Sequence, residues 1–123
     1  MKKTSNVRTG DKGEDLAVSY LKKMGWAIID RNKKAGGGEI DIVAREPSGT
    51  LVFVEVKTLK SEPPGGLMPE DEFSSAKRQK TERAIQGFVG ANPKLVNEKK
   101  GWRMDVVAIV LTDTPTVRHY ENA

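Results

Sequence analysis

The sequence predicts an α/β fold, a mixed β-sheet flanked by helices in the order α-β-β-β-α-β-β. Three observations carry that expectation. Two segments, Asp11–Met24 and Ser74–Val89, repeat apolar residues at helical spacing. Five short runs of strand character, several rich in Val and Ile, lie around them. The turn Glu46-Pro47-Ser48-Gly49 joins two of those runs as a hairpin.

The elements follow in order. Ala17, Leu21 and Met24, flanked by Val18 and Tyr20, form the stripe of the first helix, and Gly25 ends it. Trp26–Ile29 is a short strand, and Arg31–Gly37 reads as a basic, glycine-rich loop. Gly38–Ala44 and Leu51–Lys57 are the hairpin strands. The second of these is apolar on both faces until its last residues, which makes it central in the sheet. Lys60–Asp71, rich in Pro, Gly and Glu, reads as a mobile loop. Ser74 or Ser75 caps the second helix, which Gly90 and Asn92-Pro93 end near Val89. A lysine-rich loop leads to a buried strand, Arg103–Leu111, and Thr116–Tyr120 is a closing strand.

With 123 residues, 37% hydrophobic and 31% charged, the chain suits one domain with a charged surface. Residues 1–9 read as a flexible basic arm and residues 10–123 as the domain. No run of 18 apolar residues argues for a membrane span, and the polar start lacks the apolar stretch of a secretory signal. Cytoplasmic residence is the expectation. Absence of cysteine excludes disulfides, Cys-ligated zinc, iron–sulfur clusters and thiol catalysis. A net charge of +4 and a pI near 9.4 favour phosphate-bearing partners.

The chemistry rests on strand register. A hairpin symmetric about Ser48 sets Asp41 across from Glu55 and Glu39 across from Lys57. Residues two apart share a face, so all four project from one side. Two carboxylates with Cβ atoms roughly 5 Å apart repel one another, and a shared proton, a lysine or a divalent cation must compensate. Mixed charge on a strand is ordinarily a solvated face, and an isolated Glu-x-Lys is common. Here the charges close an otherwise apolar run, and buried charge requires a reason. Asp41 and Glu55 are therefore the expected ligands of Mg²⁺ or Mn²⁺, with Lys57 beside the attacking water. Glu14 points inward from the first helix and joins this acidic set, although the helix dipole alone also suits a carboxylate there. Lys77, Arg78 and Lys80 on the second helix, with Arg31 on the basic loop, are the expected nucleic-acid contacts. Gly36-Gly37-Gly38 lacks the Gly-Lys-Ser/Thr of a phosphate loop and reads as a flexible lead into the strand. His119 is expected at the surface, and Arg103 with Asp105 as an internal ion pair.

Gly13-Glu14, Arg31-Asn32, Gly38-Glu39-Ile40-Asp41, Val52-Phe53-Val54-Glu55-Val56-Lys57, Lys77 and Arg103-Met104-Asp105 together resemble the YraN-like family, an uncharacterised bacterial family similar to archaeal Holliday-junction resolvases. The resemblance spans about Gly10 to the end. It implies a restriction-endonuclease-like core of the PD-(D/E)xK superfamily, with Glu14, Asp41, Glu55 and Lys57 at the resolvase active-site positions, acting on DNA as a homodimer. Two features depart from the pattern: Ile40 stands where the motif has proline, and Leu59-Lys60 where family members often carry arginine. The expected activity is metal-dependent hydrolysis of nucleic-acid phosphodiesters, with structure-specific DNA the expected substrate. The alternative is a nucleic-acid-binding module that keeps the fold without turnover.

Overall fold

The computed structural model describes residues 5–62 and 75–122. Helix α1 (Ser5–Lys23) begins ahead of the expected Asp11 and takes in part of the segment expected as an arm. Ala17, Val18 and Leu21 are buried, while Met24, expected on the stripe, is exposed. Gly25, at φ +85°, closes the helix in the left-handed region where glycine carries no Cβ penalty, and its N–H bonds the Lys22 carbonyl.

The basic loop expected after the first strand is instead strand. β1 (Ala27–Ala35) pairs antiparallel with β2 (Gly38–Arg45) from Ala27↔Arg45 to Ala35↔Gly38, with a register shift at Ile29. Gly36 and Gly37, at φ +54° and +80°, make a two-residue turn of the primed kind that suits strand twist. The pattern was hidden because β1 is an edge strand. Its charged residues face solvent, so it lacks the apolar alternation that marks a half-buried strand.

β2 pairs antiparallel with β3 (Leu51–Leu59), and the partners Ile42↔Val54, Val43↔Phe53, Ala44↔Val52 and Arg45↔Leu51 have the register expected of the symmetric turn. After β3 the described chain resumes in helix α2 (Ser75–Ala91) and a 3₁₀ turn (Pro93–Leu95). Most of the expected loop Lys60–Asp71, and the Ser74 cap, lie outside the described residues. β4 (Trp102–Val110) then runs parallel to β3, and β5 (Thr116–Tyr120) pairs antiparallel with β4. The sheet order is β1-β2-β3-β4-β5, so β3 is central, as its two apolar faces predict.

Two cores result, one on each face. Ala17 and Leu21 of α1 pack with Ile42, Val54 and Val107. Ile85 and Phe88 of α2 pack with Val43, Phe53 and Val106, and the Phe53 and Phe88 rings meet edge to face at 5.7 Å. Each such buried side chain contributes about 1.5–3 kcal/mol. α1 closes tightly on the sheet at Gly13, where a Cβ would overlap the Thr58 side chain. Among the described residues no helix is long and apolar enough to cross a membrane.

The α1 face also holds a polar knot. Arg103 Nε donates to Asp105 Oδ1 at 2.9 Å, the ion pair expected from sequence, and Arg103 Nη1 reaches Glu46 at 2.9 Å. His119, expected at the surface, is instead folded under. Its Nε2 lies 2.7 Å from Asp105 Oδ2, its Nδ1 3.0 Å from the Tyr20 hydroxyl, and Trp26 meets its ring edge-on. A fully buried carboxylate requires partners, and sequence separation concealed that His119 returns on β5 to supply one.

Candidate active site

The β2–β3 ladder closes at Ile42↔Val54. At the next rung the Asp41 side chain replaces the main chain: the Val56 N–H donates to Asp41 Oδ2 at 2.9 Å. The strands part there, leaving a cleft of about 230 Å³ lined by Glu39, Asp41, Glu55, Lys77, Lys80 and Thr81. Asp41 and Glu55 line it together, close enough for the Glu55 charge to bear on the Asp41 carboxyl. Glu39 is exposed on the cleft wall, and the expected pairing of Glu39 with Lys57 lies beyond the ladder.

Electrostatics follow from the geometry. Burial, then the Glu55 charge, push the Asp41 carboxyl up to about 7, against the Val56 N–H and the Lys77 ammonium. Glu55 is 8% exposed and pairs with Lys77, whose Nζ lies 2.6 Å from Oε1. Lys77 therefore stands beside Glu55. Lys57, two residues further along β3, is half-buried and is not among the described residues lining this cleft.

Glu14 approaches from α1. It lies well inside that helix, not in its first turn, so the dipole does not account for its position. Burial, then the Asp41 charge, raise its carboxyl, while the Arg31 charge and hydrogen bond oppose the shift and the nearby Asn32 amide adds a smaller pull. Arg31 Nε lies 3.3 Å from Glu14 and its Nη2 2.7 Å from Asp15, so its described contacts are with α1. Asn32 is a residue that sequence reasoning left without a role. The flanking pairs Arg31↔Ile42 and Lys33↔Ile40 set it opposite Asp41, at φ +52°, a left-handed conformation that Asn tolerates better than most residues. Its only sequence signal was its place beside Arg31. Glu14, Asn32, Asp41, Glu55 and Lys77 thus span both helices and three adjacent strands.

Of the remaining expected contacts, Lys80 is exposed at the cleft, while Arg78 turns to a separate depression beside Glu82, Trp102 and Asn122. Among the described residues no three Asp, Glu, His or Cys side chains form a cage for a metal by themselves. An ion between Asp41 and Glu55 would complete its shell with water and a bound phosphate, the arrangement Mg²⁺ commonly takes. The donor set, carboxyl oxygens of the half-buried Asp41 and the buried Glu55, fits such an ion.

The profile of the uncharacterised protein family UPF0102 matches residues 13–109. A UPF0102 protein of Trichlorobacter lovleyi is 37% identical over 96% of this chain and 91% of its own length. Another from Geobacter sulfurreducens is 40% identical over 96% and 89%. Among solved structures, a repair endonuclease from Pyrococcus abyssi is similar at a TM-score of 0.47 and 16% identity, over 92% of this chain, which spans 41% of that one.

Proposed function

This chain belongs to the uncharacterised protein family UPF0102, and on that premise we propose that it is a metal-dependent nuclease that hydrolyses nucleic-acid phosphodiesters, DNA first among them. One observation carries the reading: two carboxyls, the half-buried Asp41 and the buried Glu55, meet where β2 and β3 separate, in a cleft that also holds lysines. Like charges so placed require a cation or a proton. Asp41 and Glu55 would hold Mg²⁺ or Mn²⁺. The ion would supply positive charge at a phosphoryl oxygen and acidity to a water molecule. Lys57, turned inward from its place two residues along β3, would orient that water or balance charge on the phosphate alongside Lys77, which already stands at Glu55. Glu14, held by Arg31, would complete the acidic wall, and Lys80 would meet the substrate backbone.

A second reading, a nucleic-acid-binding module without turnover, draws on the Lys77–Glu55 contact, because an ammonium already satisfies part of the acidic pair. Two measurements separate the readings. Calorimetry should detect Mn²⁺ binding that is lost in Glu55→Gln. Branched and linear DNA should be cut by the wild type with Mg²⁺ or Mn²⁺ and spared by Asp41→Asn. Cleavage by both proteins alike would sink the nuclease reading, and binding of DNA without any cleavage would establish the module.

A further inference from the structure

A second cleft, of about 590 Å³, adjoins the first. Its lining includes Lys34, Gly37, Gly38, Glu39 and Lys80. Glu39 and Lys80 line both clefts, so the two share a wall. Their charges differ in sign. The carboxylate cleft sets Glu39, Asp41 and Glu55 against Lys77 and Lys80, whereas the second sets Lys34 and Lys80 against Glu39 alone. A cation suits the first and an anion the second.

The floor of the second cleft is firm. A Cβ on Gly36 would meet the Arg83 carbonyl, one on Gly38 would lie 3.0 Å from the Lys80 carbonyl, and one on Gly87 3.0 Å from the Gly36 nitrogen. The glycine turn is thus seated against the α2 backbone, and it is not the flexible lead expected from sequence. Gly37, by contrast, has nothing within 4 Å of a built Cβ. Its bare backbone faces open space, where a ligand can approach closely. From Gly38 to Asp41 along β2 is about 10 Å, a reach that one to two nucleotides of a strand can cover.

We infer that this glycine-floored cleft is a backbone-phosphate subsite, in which Lys34 and Lys80 hold a phosphodiester of the same strand, one or two nucleotides from the one at Asp41 and Glu55. The inference rests on the nuclease reading and deepens it: nucleic acid runs along the β1–β2 turn, not over the outer side of α2. Lys94 provides the control. It is an exposed lysine next to Leu95, whose carbonyl accepts from Arg45 at the other end of β2.

The experiment is fluorescence anisotropy with a labelled oligodeoxynucleotide, single-stranded and duplex, in Ca²⁺ across a salt series. Lys34→Ala should weaken binding several-fold and lower the salt slope by about 1, while Lys94→Ala leaves both unchanged. Mn²⁺ affinity by calorimetry should be the same in both variants and in the wild type. Equal losses in Lys34→Ala and Lys94→Ala would overturn the subsite and leave the nuclease reading standing. A wild type that binds neither oligonucleotide would overturn both.

Discussion

At the scale of single residues, Asp41 is the informative group. Its carboxyl titrates near 3.8 when unfolded and near 7 when folded, so the fold holds the proton more tightly than the unfolded chain does. The stabilisation this brings is complete below about pH 4 and is lost as the pH rises through 7. In metal-free buffer, urea unfolding should show the wild type weakening between pH 5 and 8, and Asp41→Asn, which can still accept from the Val56 N–H, changing far less. At pH 8 the variant should be the more stable by roughly 1–3 kcal/mol. A wild-type profile that stays flat would remove Asp41 from the coupled pair. Asn32 makes a separate prediction. If it served only to hold φ +52°, glycine would serve as well or better. Asn32→Gly should therefore melt at or above the wild-type temperature yet bind Mn²⁺ several-fold more weakly, because the amide near Glu14 and opposite Asp41 is gone. Unchanged affinity would reduce Asn32 to a backbone role.

At the scale of elements, legibility followed burial. β3 and β4 were readable because both faces are apolar, and the hairpin register was readable because Pro47-Ser48-Gly49 restricts the turn. That register is what brought Asp41 and Glu55 together on paper. β1 beyond Ile29 was unreadable, since an exposed edge strand lacks alternation and a one-residue bulge leaves no mark in composition. Lys77 beside Glu55, and Arg31 turned toward Glu14 and Asp15, depend on how the helices dock, which periodicity along one segment does not encode. The docking of α1 can be tested at Gly13. Gly13→Ala drives a methyl into Thr58 and should cost about 1–3 kcal/mol, with Thr58→Gly recovering much of the loss in the double variant. Additive losses in that cycle would mean the two residues do not touch.

For the whole molecule, Asp105 is the tie among distant segments. Through Arg103, His119 and the Asn122 N–H it links the hairpin turn, α1, β4 and β5. Burial alone would raise its carboxyl, but those donors hold it below the ordinary range, so its stabilisation is present above about pH 4 and lost as the pH falls further. Asp105→Ala strands Arg103 and His119 and should cost about 3–5 kcal/mol, read as a lower melting temperature of one cooperative transition. A melt matching the wild type would show that the knot carries no net stability. The exposed margin of β1 has a consequence of another kind. Its bulge and its run of Asp30, Arg31, Lys33 and Lys34 make it a poor template for an intruding strand. Sheet extension from chain to chain at this margin is thereby discouraged, and a second copy that continued the ladder would have to add at β5, the opposite edge.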